Sequence, residues 1–383
     1  MNAQAAKQHA REQVEGAHGR LVELSHRIHA NPELAYQERL AAAWLVDELS
    51  KAGYQLEFPI GGLETAFAGR LGPGPLNVAV IAEYDALPEV GHACGHNIIA
   101  ATAIGAAIGL AAVADELGLR VSVIGTPAEE GGNGKQALID AGVLGDEHFA
   151  LMVHPGPTDV LTSEILAAQS LEVMYTGRPS HAGAFPERGI NAADGLVIAQ
   201  VAIGLLRQSL LSSDRVHGIV TVGGEAQNII PARAEGIWMV RAQTLERMEV
   251  VRDAVRRCFE AGALASGASL SIKERPAYAD MRHDADLAGL YRANAEALGR
   301  VFGGASDFNR YSTDMGNISY VVPSIHPVIG INAGGASNHQ PEFAAATVNA
   351  SADQAVLDGS LALAWTVIDA ATDDALRQRL LAR

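Results

Sequence analysis

Asn77-Val-Ala-Val-Ile-Ala82 runs straight into Glu83-Tyr84-Asp85, and the same arrangement returns twice further along the chain. Val121-Ser-Val-Ile-Gly125 leads into Thr126-Pro-Ala-Glu129-Glu130, and Phe149-Ala-Leu-Met-Val153 leads into His154. These β-prone runs are separated by helical stretches around 98–118 and 134–142. The order strand, helix, strand, helix, strand predicts an α/β sheet. In open sheets of this kind ligands bind at the carboxyl ends of the strands, so three strand ends direct ionisable groups towards one place.

Working outward, apolar residues at three- and four-residue intervals (Leu21, Leu24, Ile28, then Leu40, Trp44, Leu45, Leu49) predict helices interrupted at Asn31 and Pro32. Between about Ala167 and Tyr278 the pattern becomes strand (171–175), helix (192–209), two strands (219–222 and 235–242), helix (245–265) and strand (269–273). That β-α-β-β-α-β order is the ferredoxin-like split unit. Alternation then resumes, with a helix near 284–302, a strand at 328–332 and a last helix from about 348 to 371. The expectation is a discontinuous α/β/α catalytic domain built on a mixed sheet, residues 1–166 and 279–383, with a ferredoxin-like lid or dimerisation domain, 167–278, inserted into it.

Length and composition narrow the function classes. The chain has 383 residues, 48% hydrophobic and 19% charged, which is ample for a buried core and too apolar for a disordered chain. Against 44 Asp plus Glu stand 28 Lys plus Arg, a net charge of -16 that repels phosphate backbones and anionic membrane surfaces. Neither nucleic acid nor membrane is an expected partner. The longest apolar run, 98–114, is alanine-dominated, interrupted by Thr102, Gly105 and Gly109, and shorter than the roughly 20 residues that span a bilayer. With only Cys94 and Cys258, and a polar N-terminal stretch lacking an apolar signal core, the expected compartment is the cytoplasm.

Gly91-His-Ala-Cys94-Gly-His96-Asn97 places three potential metal donors within five residues, on a backbone that two glycines allow to turn tightly. A lone Cys or His is more often a packed core residue, but this cluster stands at a strand end beside acids. The rival reading is a cysteine nucleophile ahead of the helix beginning near Ile98, whose dipole lowers a thiol pKa. A cysteine hydrolase has no use for Glu83, Asp85, Glu129 and Glu130 gathered nearby, whereas cations neutralise such a collection. In the Glu129-Glu130 pair one carboxylate can bind metal while the other moves protons. His154 and His339, in Ser337-Asn-His339-Gln-Pro341, are ambiguous alone.

His29-Ala-Asn-Pro-Glu33, Asp85-Ala-Leu-Pro, Gly91-His-Ala-Cys-Gly-His96, Pro127-Ala-Glu-Glu130-Gly-Gly, Gly177-Arg-Pro-Ser-His181-Ala-Gly, Asn228-Ile-Ile-Pro and the late His339 occur in this order over nearly the whole chain. Together they resemble the co-catalytic metal aminoacylase and dipeptidase superfamily, in particular its Cys-Gly-His branch of hippurate, auxin-conjugate and aminobenzoyl-glutamate amidohydrolases. The resemblance implies two divalent ions, zinc or manganese, held by Cys94, His96, Glu130, His154 and His339, with Glu129 as general base and acid. It assigns Asp85 the orientation of a ligand or base, and Asn228 and Arg241 the binding of a substrate carboxylate or oxyanion. His181 matches a lid histidine that reaches the site of a neighbouring subunit, so a homodimer is implied.

Two departures stand out: position 83 is Glu, where the dipeptidase branches carry a histidine ligand and many Cys-Gly-His relatives an Asp, and position 97 is Asn, where those relatives often have Asp. Whether Glu83 contacts metal stays open. The expected reaction is hydrolysis of an N-acyl amino acid, an aminobenzoyl-glutamate-like conjugate or a small dipeptide by metal-activated water. The alternatives are cleavage of another C–N bond such as an arylamine, and a non-catalytic amino-acid or peptide binding protein.

Overall fold

The computed structural model describes residues 1–303 and 311–382. The chain divides into two compact units, Met1–Glu164 together with the chain from Met281, and Ile165–Asp280.

In the first unit six strands form one sheet in the order Gln55–Glu57, Phe67–Leu71, Leu119–Gly125, Leu76–Ala82, Phe149–Leu151, Ser324–Ile325. The last four run parallel and Phe67–Leu71 is antiparallel to Leu119–Gly125, so the sheet is mixed. Strand alternation divides the apolar side chains between two faces. Val78, Val80, Val121 and Val123 enter a core formed with helices Ala3–Ala30, His96–Ala111 and Ala350–Thr372. Ala79, Ile81 and Ile124 enter a second core with Leu138, Met315 and Ile318, carried by helices Gly134–Asp140 and Met315–Ser319. Helices on both faces make this an α/β/α domain.

Close helix packing rests on small residues. A Cβ on Gly105 would lie 2.1 Å from Ser360 Oγ, so only glycine lets the His96–Ala111 and Ala350–Thr372 helices approach this closely. The latter helix is long and apolar enough to cross a membrane by length and composition, and 83% of its apolar window is buried within the fold.

Three local expectations need correction. The N-terminal helix spans Ala3–Ala30 rather than starting near Leu21, because Ala6, Ala10, Val14 and Ala17 make a buried face too weakly hydrophobic to stand out in a polar stretch. The edge strands Gln55–Glu57 and Phe67–Leu71 are additional to the expected ones. The strand expected at 328–332 ends at Gly330 and pairs with His154–Gly156 in a two-stranded ladder.

The second unit runs Ala167–Thr176, Ala192–Leu206, Arg215–Val222, Arg233–Ala242, Leu245–Ser266, Ser269–Glu274, the β-α-β-β-α-β order. Its antiparallel sheet has the order Ser269–Glu274, Ala167–Thr176, Arg233–Ala242, Arg215–Val222, which is ferredoxin-like. Leu171, Val173, Tyr175, Trp238 and Val240 pack under the two helices against Val255 and Phe259. The opposite face leaves Ile219 at 64% and Ile237 at 43% exposure.

Candidate metal centre

Strand ends in the first unit converge as the sequence pattern predicts, and the geometry gives each donor a direction. Gly95 adopts φ +83°, and a Cβ there would sit 2.4 Å from Pro155 Cγ. Cys94 and His96 therefore flank a turn that only glycine can make, at the start of the His96–Ala111 helix.

His96 is fully buried, and its Nδ1 lies 2.9 Å from the backbone oxygen of Asp85 and 3.0 Å from Asp85 Oδ1. Both partners accept, so Nδ1 carries a proton and Nε2 is the ring atom left to face the site. Asp85 Oδ2 accepts the backbone N–H of Glu130 at 2.9 Å, so one buried carboxylate orients both a histidine and the loop that carries the acid pair. Burial alone would raise Asp85, but His96, the Glu130 N–H and Lys135 hold it below its usual range.

His154 donates from Nδ1 to the Pro155 backbone oxygen at 2.7 Å and turns Nε2 to within 3.4 Å of Cys94 Sγ. His339 arrives from a loop far along the chain, with φ +72°, its backbone N–H donating to the Ala93 oxygen at 2.9 Å. Its Nε2 lies 3.4 Å from Glu130 Oε1. Asn338 donates to the backbone oxygens of Cys94 and Pro155, both at 3.3 Å, and so joins three segments of the site.

Ligand atoms of Cys94, His96 and His154 lie within 4.8 Å of one another, as do those of Cys94, Glu130 and His339, with Cys94 common to both sets. This is the arrangement of two adjacent cation sites sharing a thiolate. A metal fits the donor chemistry, because His96 Nε2 is buried with no hydrogen-bond partner and faces the carboxylates of Glu83 and Glu129, a gathering of negative charge that a cation neutralises. Burial and Glu130 push the Cys94 thiol well above its usual range, which disfavours a free thiolate nucleophile; a bound cation would supply the positive charge that a thiolate needs there.

Glu129 follows Ala128, which sits at φ +61°. Its carboxylate is almost fully buried, with Oε2 3.9 Å from His96 Nε2. Burial, then Glu130, Glu83 and Asp314, push its pKa well above the ordinary carboxyl range. His92, the third donor of the Cys-Gly-His cluster, is absent from the gathered sets among the described residues. Its ring packs 6.4 Å from that of His29, and burial lowers its pKa to about 3. Asn97 has a packing role, donating to Ser25 Oγ at 2.9 Å and to the Thr347 backbone oxygen at 3.1 Å.

Lys135 and Asp314 had no signal in the sequence. A lysine on a short helix reads as a solvent-facing charge, yet Lys135 is fully buried with its Nζ 2.5 Å from Glu83 Oε1 and 2.5 Å from Asp314 Oδ1. His326, also fully buried and with its ring 5.5 Å from that of His154, carried no signal for the same reason.

In the second unit His181 and Asn228 are brought together: Ala182 donates to the Asn228 backbone oxygen and His181 bridges to Ile229. His181 Nδ1 accepts from the backbone N–H groups of Gly183 and Ala184 at 3.2 and 3.1 Å, leaving Nε2–H as an exposed donor. Arg241 is elsewhere. The Arg233 end of its strand pairs with Thr176, the end nearer to His181 and Asn228 in sequence, and Arg241 is eight residues further along. At about 3.3 Å per residue Arg241 lies about 26 Å along the strand from Arg233.

The fold and the first unit's donor set define a metal-dependent hydrolase of amide bonds. The chain belongs to peptidase family M20/M25/M40, whose profile matches residues 79–354. It is 37% identical over 386 residues, 95% of this chain and 88% of the relative, to Xaa-Arg dipeptidase from Mus musculus. A p-aminobenzoyl-glutamate hydrolase polypeptide of Escherichia coli is 28% identical over 272 residues, 66% of this chain and 56% of that protein. Among solved structures, a dinuclear metal-binding peptidase of the M20 family from Bacillus subtilis superposes with a TM-score of 0.72 at 23% identity, covering 93% of this chain and 98% of that one.

Proposed function

We propose that the protein hydrolyses the amide bond of a small dipeptide or N-acyl amino acid, releasing a free amino acid, with two zinc or manganese ions. The observation that carries this reading is the gathering of Cys94, His96, Glu130, His154 and His339 beside the buried carboxylate of Glu129. A dipeptide ending in arginine is the first substrate to test, because the mouse relative and a human one at 35% identity bear the name Xaa-Arg dipeptidase.

Divalent ions bound by these donors supply polarisation of the scissile carbonyl and acidification of a water. Glu129 takes the proton of that water and delivers it to the leaving nitrogen, which departs poorly unless protonated. Asp85 keeps His96 in one tautomer and Glu130 in place. The Nε2–H of His181 is the oxyanion donor in this scheme, a contribution of about 3 kcal/mol by analogy with other such donors.

The scheme includes a homodimer. His181 lies near one end of the strand Arg233–Ala242 in sequence and Arg241 at the other, so in this reading a site takes one of them from each of two copies. The edge strand Arg215–Val222, with Ile219 64% and Val220 43% exposed, offers an apolar surface for a second copy. We place the protein in the cytoplasm, where Cys94 stays a reduced thiol able to donate.

The test is a panel of Xaa-Arg dipeptides, other dipeptides, N-acyl amino acids, arylamines and aminobenzoyl-glutamate, assayed with zinc or manganese and read by product chromatography. Release of a free amino acid supports the reading; no amide cleavage across the panel with two metal ions bound overturns it. Mixing His181→Ala with Arg241→Ala protein should restore about a quarter of the sites if each site draws on two copies.

A further inference from the structure

Glu83 carries more than the scheme above uses. Its side chain is fully buried, and one oxygen, Oε1, is taken by Lys135 Nζ at 2.5 Å, while the same ammonium holds Asp314 Oδ1 at 2.5 Å and the Lys135 backbone N–H donates to Asp314 Oδ2 at 3.0 Å. The other oxygen, Oε2, has no hydrogen-bond partner. It points at His96 Nε2, 3.4 Å away, which is also buried and without a partner.

With His96 Nδ1 protonated towards Asp85, its Nε2 confronts the Glu83 carboxylate, and something positive has to stand between them: a second ring proton or a cation. A second ring proton would draw the pair to the roughly 2.7–2.9 Å of a charge-assisted hydrogen bond; at 3.4 Å no hydrogen bond is made, which leaves room for a cation. A separation of 3.4 Å is also the span of two ligands about 2.1 Å from one tetrahedral ion. The ligand atoms of Glu83, His96 and Glu129 all lie within 4.8 Å of one another.

We infer that Glu83 Oε2 is a further ligand of the divalent ion bound by His96, and that Lys135 with Asp314 is a buried clamp that aims it. The clamp explains an otherwise expensive burial of three charged side chains: it holds Oε1 so that Oε2 has one direction left, and it leaves the triad with a net negative charge facing the cation. Lys135 and Asp314 are positioning residues: they act through Glu83 Oε1, and neither belongs to a gathered donor set among the described residues. The inference rests on the metal-centre reading above, and its test separates the two.

Metal-free wild-type and Glu83→Gln protein are titrated with zinc and with manganese, and bound metal is counted by elemental analysis after gel filtration, with far-UV circular dichroism as a folding check. Wild type should bind two equivalents, and Glu83→Gln should keep one with unchanged affinity and bind the other roughly 10- to 100-fold more weakly. Two equivalents in both proteins with the same affinities overturn the assignment of Glu83 and leave the metal centre standing. No metal bound by wild type overturns both. Should the variant not fold, a crystal structure of zinc-loaded wild type decides: Glu83 Oε2 within about 2.0–2.2 Å of an ion supports the inference, and a distance beyond about 3 Å with both ions bound overturns it.

Discussion

Glu38 Oε1 accepts the backbone N–H of Ala128 at 2.9 Å, across 90 residues of sequence. Ala128 is the left-handed residue that turns the chain into Glu129, so a carboxylate from the N-terminal helical segment anchors the loop that carries the proposed base. Tyr36 N–H and the Thr65 hydroxyl donate to the same side chain, at 2.9 and 2.8 Å.

This anchor makes stability depend on pH. Burial, reinforced by Asp85, pushes Glu38 up to about 7, against the hydrogen bonds from its own backbone N–H, Thr65 and Tyr36. A carboxyl with a higher pKa folded than unfolded binds its proton more tightly in the native state, so its contribution is complete below about pH 4.5 and disappears as pH rises through about 7. At about 1.4 kcal/mol per unit, this is about 3 kcal/mol, reduced where water reaches the group. Urea unfolding of wild type and Glu38→Gln at pH 5 and pH 8 checks it: wild type should lose more stability than the variant between the two, and parallel losses would refute the assignment.

Glu129→Ala removes the proposed proton carrier without touching the five expected ligands. Turnover should fall at least 10²- to 10⁴-fold while elemental analysis still finds two ions per chain. A variant that retains wild-type kcat takes Glu129 out of the reaction.

Gly95→Ala puts a Cβ 2.4 Å from Pro155 Cγ at a backbone φ of +83°. Asn338 bonds both the Cys94 and the Pro155 backbone oxygens, so the two segments cannot simply part. Strain and overpacking should cost about 2–5 kcal/mol, lower the melting temperature and reduce bound metal, because the displaced turn carries Cys94 and His96. Calorimetry and metal analysis on the purified variant would show the opposite if the turn tolerated a side chain.

Chelation separates a metal hydrolase from a cysteine hydrolase. Stripping the ions should abolish activity, and adding zinc or manganese back at about 100 times Kd should restore it and stabilise the fold by about 2.7 kcal/mol. Indifference to chelators with inactivation by thiol alkylation would instead make Cys94 a nucleophile, against the raised pKa that burial and Glu130 impose on it.

Much of this centre was legible in the chain. Glu83, Asp85, Glu129, Glu130 and His154 each follow a β-prone run, and strand ends in an open α/β sheet face one region, so local pattern alone brings them together. Cys94 and His96 add themselves through the glycine-flanked turn. His339 was reachable only through the ordered set of motifs, since an isolated histidine in a loop carries no directional signal. Lys135 and Asp314 were not reachable, because nothing local distinguishes a lysine clamped between two buried carboxylates from one in water. The part of the first helix that precedes Leu21 was lost to its small-residue face, which packs by close approach more than by hydrophobicity.

The sequence by itself determined the elements and the kinds of donor, because helix and strand periodicities and turn-forming glycines act over a few residues. Tertiary structure alone decided which atoms face one another: Asp85 divided between His96 and Glu130, Nε2 of His154 turned to Cys94, and Oε2 of Glu83 turned to His96. Coordination depends on lone-pair directions at about 2–4 Å, and these are set by packing between segments that meet only in the folded chain.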